Sequence, residues 1–230
     1  MKVEIWSDVV CPFCYIGKRK FENALKDFDQ KGKVEIVWRS FQLDPDMEYV
    51  EGQSVSEYLA KRKGVSVDKA REMNNYVSGV AKEVGLEYDF DKAILNNTLD
   101  AHRLLHLAAE HGVQTQLKEA LFAAYYTQGK NIGDTETLVE IGTSFGLNAA
   151  EIRTMLQSDT YKNDVRQDQY QANQVGAQGV PFFVFNSKYA VSGAQPTEVF
   201  KQVLDKVWDE EKPVAEATDG GFCTPDGVCN

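Results

Sequence analysis

The sequence predicts an α/β fold in which a βαβ opening and a ββα close are separated by a long all-helical insertion. Strand-like segments occur only near the start of the chain and after Pro181. Between them, Ser54 to Val175 shows helical periodicity throughout. With 230 residues and 43% hydrophobic content, the chain can bury a full core.

Val3, Ile5 and Trp6 form the first strand, and Ser7 to Val10 lead into Cys11-Pro12, a helix start because proline is tolerated at the first helical position. Ile16, Phe21, Leu25 and Phe28 continue that helix, with Gly32 expected as its left-handed cap. Val34 to Phe41 is the second strand, ended by Asp44-Pro45, and the helical crossover makes the two strands parallel. In the insertion, Val55/Tyr58/Leu59, Met73/Tyr76/Val77/Val80/Val84, Leu104/Leu105/Ala108, Leu117/Leu121, Leu138/Ile141/Phe145 and Ile152/Leu156 mark successive apolar faces. Gly64, Gly85, Gly112, Gly129, Gly133 and Gly146 punctuate them, and Asn148 with Glu151 has the spacing of a capping box. Phe182 to Phe185 and Tyr189 to Ser192 make a hairpin across Asn186-Ser187-Lys188. Thr197 to Glu211 is the last helix, with Val199, Phe200, Val203, Leu204 and Val207 on one face and Pro213 beyond its end.

The net charge of −10 argues against nucleic-acid and anionic-membrane partners, which need a basic surface. No run approaches the roughly 20 apolar residues that span a bilayer, and Met1 to Glu4 carry no signal-peptide pattern, so the expected location is cytoplasmic. Thiols are kept reduced there. Four cysteines in two close pairs therefore point to catalysis, redox sensing or metal binding before a permanent staple.

Cys11 and Cys14 are separated by Pro12 and Phe13 at a helix N-terminus. Unpaired backbone N–H groups there favour an anion, so Cys11 is expected to have a depressed pKa and to act as nucleophile. Cys14 lies about one turn further in and is placed to resolve the mixed disulfide that Cys11 forms. The same spacing serves zinc ribbons, but Pro12 and the strand-before, helix-after setting fit a redox turn better.

The order of elements resembles the DsbA family of the thioredoxin superfamily. Ser7-Asp8-Val9-Val10-Cys11-Pro12-Phe13-Cys14-Tyr15-Ile16-Gly17-Lys18-Arg19, the run Asn97-Thr98 to Ala101-His102-Arg103-Leu104, and Gly179-Val180-Pro181-Phe182-Phe183 are similar to its FrnE-like branch. The resemblance implies a thioredoxin fold divided as 1–44 and 162–212, with 45–161 inserted and 213–230 a flexible C-terminal tail. It implies that Pro181 is cis and lies beside the cysteines, with the Val180 backbone free to pair with substrate. It also favours Asn97, His102 and Arg103 as lining of the cleft. Relatives often carry a buried acid six residues before the nucleophile. That position here is Ile5, and Glu4 should point to the other face, which leaves the proton acceptor for Cys14 unassigned.

His102 and His106 lie four apart on a helix, but without a third ligand at helical spacing they point to packing or site lining before metal binding. Of Trp6, Phe13, Tyr15 and Phe182, only Phe13 is expected to be exposed and to contact substrate, together with Pro12. In relatives that oxidise strongly a histidine stands at the Phe13 position, so a milder oxidant, a reductase or an isomerase is expected. Cys223 and Cys229 form a second pair around the Asp226-Gly227 turn, readable as a shuttle to the first pair, a local disulfide or half a metal site.

The expected activity is dithiol–disulfide exchange with disulfide-containing or misfolded proteins, glutathione or another low-molecular-weight thiol, with no cofactor and no metal. Kappa-class glutathione transferases and 2-hydroxychromene-2-carboxylate isomerases are the competing enzyme class, but they usually have serine at the Cys11 position. A non-catalytic chaperone or metal-binding module is the third alternative.

Overall fold

The structure, a computed structural model, describes residues 1–211. Cys223 and Cys229 lie outside the described residues. Strand β1 (Lys2–Ser7) is followed by helix α1 (Pro12–Lys26) and strand β2 (Glu35–Ser40). The insertion contributes α2 (Val55–Lys63), α3 (Val67–Lys82), α4 (Leu99–Glu110), α5 (Gln114–Tyr126), α6 (Thr135–Ser144) and α7 (Ala149–Leu156). Helix α8 (Lys162–Gln174), strands β3 (Phe182–Phe185) and β4 (Tyr189–Ser192), and α9 (Thr197–Glu211) complete the order.

The four strands form one sheet in the order β2-β1-β3-β4, with β1 parallel to β2 and antiparallel to β3. Strand alternation assigns the two faces. Val3 and Ile5 point to one side, where Phe21, Phe200 and Leu204 of α1 and α9 meet Phe183 and Phe185. Trp6 points to the other, where Phe182, Val184 and Ala172 of α8 close over it. The Trp6 indole N–H donates to the Asp168 carbonyl of α8 at 2.8 Å, so burying the ring leaves no orphan donor. Glu4, on the same side as Trp6, accepts from the Arg39 guanidinium.

A third apolar cluster fills the insertion and extends to Cys11, Cys14, Tyr15 and Ile16. Half-buried Glu119 of α5 fixes it to α1: it accepts from Tyr15 Oη at 2.5 Å, Lys18 Nζ at 2.5 Å and Arg19 Nη2 at 2.6 Å.

Two local expectations are corrected. Helix α1 ends at Lys26 with Asp27 as a right-handed cap, and Gly32 sits in a short 3-10 turn rather than in a left-handed cap. Asp27 is held by Lys201 of α9 at 2.6 Å, and Phe28 turns inward against Trp208, so packing against α9 ends the helix before Gly32 is reached. The reciprocal capping box forms at Ser54 and Glu57. At Asn148 the side chain caps Ala150 and Glu151, while the Glu151 carboxylate lies 3.6 Å from His111.

Arg103, 1% exposed, is a strut between α4 and the end of α7. Its guanidinium donates to the carbonyls of Met155, Leu156, Ser158 and Thr160, and pairs with Asp100 at 2.7 Å. Among these acceptors is the Leu156 carbonyl, which the end of α7 leaves unpaired. Arg103→Met should lower unfolding free energy by about 3 kcal/mol, because buried carbonyls lose their donors; urea denaturation of the two proteins checks this.

Candidate active site

Cys11 is the N-cap of α1, with φ −89° and ψ 111°, and Pro12 opens the helix. No side chain caps this end and Pro12 brings no N–H, so the Cys14 N–H is the first-turn donor that acts on the Cys11 sulfur. The Cys14 N–H donates to the Cys11 carbonyl at 3.0 Å, which closes the turn. Both are free thiols, 4% and 1% exposed, whereas Phe13 between them is 40% exposed.

The loop before β3 supplies the opposite wall. The Val180–Pro181 bond is cis, and the Val180 carbonyl accepts from Cys11 Sγ at 3.4 Å. Gly17 permits this approach: a Cβ there would lie 2.9 Å from Pro181 Cγ, closer than carbon atoms tolerate. Tyr88 covers the turn from the insertion side, its hydroxyl donating to the Pro12 carbonyl at 2.8 Å, and stacks on Tyr126 at 4.3 Å.

The enclosure reverses one expectation. The Cys11 S–H is held by the Cys14 sulfur as acceptor, and this contact, burial, and the charges of Cys14 and Asp8 together push the Cys11 thiol up, although the Cys14 backbone N–H acts the other way. The helix N-terminus was expected to lower it. The Cys14 contact and desolvation together cost the thiolate more than the Cys14 backbone N–H returns.

Buried charges surround the pair. Asp8 Oδ1 lies 3.2 Å from His102 Nε2, and Asp8 Oδ2 accepts the Leu43 N–H at 2.8 Å. Burial pushes the Asp8 carboxyl up, but His102, the Leu43 N–H and Lys118 outweigh it and hold the group below its usual value. Burial drives His102 down against the attraction of Asp8. The pair is therefore a carboxylate and a neutral imidazole donating from Nε2, which leaves Nδ1 buried without a hydrogen-bond partner.

Lys118 of α5 is 1% exposed, and its ammonium donates to the Ser7 carbonyl at 3.3 Å beneath the Phe122 ring. Burial pulls it down to about 8, against the opposing pull of Cys14, Asp8 and Cys11. Sequence reasoning gave Asp8 and Lys118 no role. The available signal was that Leu121, Phe122 and Tyr125, three, four and seven residues on, place Lys118 on an apolar face of α5.

The three cleft candidates make separate contacts. Arg103 is the strut described above, and His102 serves Asp8. Asn97 donates to the Pro45 carbonyl at 2.8 Å and accepts from Gln42 Nε2 at 2.9 Å, so it pins the 42–47 loop; its neighbours Asn96 and Thr98 line the cavity beside Cys11. His106 is engaged separately from His102, with Ser40 Oγ at 3.0 Å and Asp168 at 3.3 Å. Among the described residues, no three His, Cys, Asp or Glu side chains gather as metal ligands. Trp6, Tyr15 and Phe182 are core, at 2%, 5% and 6% exposure.

A dithiol at a helix start, facing a cis-proline loop across a βαβ–ββα sheet, defines a thiol–disulfide site of the thioredoxin type. The sequence profile of the DSBA-like thioredoxin domain matches residues 2–205, and the chain belongs to that family. It is 41% identical to the crystal structure of a probable DsbA oxidoreductase, SCO1869 from Streptomyces coelicolor, with a TM-score of 0.87 over 100% of this chain and 98% of that one. The uncharacterized protein YwbO of Bacillus subtilis (strain 168) is 28% identical over 212 residues, 91% of this chain and 97% of its own. The cytosolic disulfide reductase DsbM of Pseudomonas aeruginosa, crystallised with GSH, shares the fold at 16% identity and a TM-score of 0.64, over 91% of this chain and 100% of that one.

The His102 shift fixes a pH dependence of stability. The folded pKa is lowered, so unfolded chains bind protons first and stability present above the unfolded value of about 6.5 is lost as pH falls below it. The slope from this group should be positive, bounded by the one-proton limit of about 1.4 kcal/mol per pH unit, and vanish in His102→Gln, as read from urea midpoints between pH 7.5 and 5.

Proposed function

We propose that this protein is a cytosolic dithiol–disulfide oxidoreductase of the FrnE-like branch, in which Cys11 and Cys14 exchange electrons with disulfides of proteins or small thiols. The observation that carries this reading is Cys11 at the α1 N-cap, with Cys14 beneath it and the Val180 carbonyl opposite. Cys11 attacks a substrate sulfur and forms a mixed disulfide; Cys14 then attacks the Cys11 sulfur and releases the second thiol. Substrate extends along the Val180–Pro181 edge with Pro12 and Phe13 beside it. A raised Cys11 pKa and the absence of a histidine at Phe13 favour reduction or isomerisation over strong oxidation. Cys223 and Cys229 serve as a relay in this reading.

The proton of Cys14 goes to Lys118. Burying an ammonium is costly, and although the Asp8 carboxylate attracts Lys118, burial outweighs that attraction. The charge acting most strongly on Lys118 is that of Cys14. The neutral amine takes the thiol proton, and the thiolate and ammonium then stabilise each other until the disulfide forms.

Insulin reduction should be lost in Cys11→Ser, and Cys14→Ser should trap mixed disulfides visible by mass spectrometry. If Cys11→Ser reduces insulin at the wild-type rate, the reading is wrong. Cys223→Ser should slow recycling of the first pair. Resolution of a preformed Cys11 mixed disulfide should accelerate as pH rises through about 8, as Lys118 loses its proton. Lys118→Met should slow that step by about 10²-fold and remove the inflection, as read by stopped-flow release of a chromogenic thiol.

A further inference from the structure

Cys11, Pro12 and Phe13 form one end of a cavity of about 460 Å³ enclosed by the insertion. Its volume falls within the range of small-molecule sites. Helices α2 and α3 supply Val55, Leu59, Met73 and Val77, and the rings of Tyr58, Phe90, Tyr125 and Tyr126 complete the walls. Rings and thioethers of this kind favour stacked, polarisable ligands.

The charges in the lining are largely spent on one another. Arg62 is tied to Asp44 at 2.7 Å and to the Leu43 carbonyl at 2.6 Å, and Asp8 is held by His102 and Leu43. Lys63 is the remaining cation in the lining, and it stands exposed at the end of α2. Asp8 acts on the Cys11 thiolate as a like charge, so a substrate that brings carboxylates close to the sulfur meets an unfavourable field. Access differs from an open redox face as well. Cys11 is 4% exposed and belongs to the cavity lining, so substrate approaches it through the cavity, which a compact small molecule enters more readily than a disulfide fixed on a folded protein surface.

From this geometry we infer that the preferred substrate is an uncharged, ring-bearing low-molecular-weight disulfide that seats its ring between α2, α3 and the α5 tyrosines, with its sulfur at Cys11. The inference rests on the redox reading above and specifies its substrate class. The Cys11 thiolate attacks one sulfur of R–S–S–R, and the departing thiolate takes up a proton. Cys14 then displaces the second R–SH from Cys11. The pair gives up two electrons and closes as a disulfide, and the substrate is reduced to two thiols, so a single turnover needs no further reductant.

The test compares N,N′-dibenzoylcystamine with N,N′-diacetylcystamine, which share the same disulfide core and differ in the ring, and with glutathione disulfide. Prereduced protein is mixed with each, and closure of the Cys11–Cys14 disulfide is followed by quench and alkylation; dithiothreitol measures intrinsic reactivity. The benzoyl compound should react at least tenfold faster than the acetyl compound after that correction, with glutathione disulfide slowest. Met73→Trp, which fills the cavity, should bring the benzoyl-to-acetyl ratio close to one. A wild-type ratio within twofold, or a faster reaction with glutathione disulfide or with the disulfides of native insulin, overturns the inference while leaving dithiol exchange intact. Failure of every disulfide to close the pair in wild type would instead overturn the redox reading itself.

Discussion

Glu119 is the contact on which the rest of the arrangement depends. A single carboxylate of α5 gathers Tyr15, Lys18 and Arg19 from one face of α1, and Lys18 is itself 3% exposed. Three donors on one half-buried acceptor give charge-assisted bonds that water competes with poorly. Their effect is positional. They press the insertion onto the first turns of α1, and the cysteine pair lies under that contact instead of on an open surface.

From this burial follow the unusual energetics of the site. An exposed cysteine at a helix start would have its thiolate favoured by the helix end. Under Tyr88 and against Val180, Cys11 loses solvent, and the Cys14 contact together with desolvation raises its thiol. The same low-dielectric setting makes the fixed charges of Asp8 and Lys118 effective at short range. Asp8 is satisfied by an imidazole and an N–H, and no carboxylate of the described residues accepts from Lys118. A buried amine with this partial satisfaction can change protonation near neutral pH, as a thiol-resolving step requires.

The structure also shows why neighbouring positions of one motif divide their work. Asn96 and Thr98 face the cavity while Asn97 turns away to pin the 42–47 loop. On α4, His102 turns to Asp8 and Arg103 to the carbonyls at the end of α7. A motif is a stretch of backbone, and successive residues on a helix point about 100° apart. Its residues therefore divide between the cavity wall, the 42–47 loop, Asp8 and the end of α7.

What the sequence determined by itself were features written in local periodicity and local chemistry. Alternation and helical spacing marked both strand pairs, α1, α9 and the helical insertion, because each needs only its own residues to define a buried face. Cys11-Pro12-Phe13-Cys14 declared dithiol chemistry because sulfur spacing and a helix start are both short-range. The tertiary structure alone decided the electrostatic state of that pair. Asp8, His102 and Lys118 come from β1's edge, α4 and α5, and their distances from the sulfurs depend on how α5 docks on α1. Desolvation and charge coupling are properties of the assembled volume, and no stretch of sequence contains them.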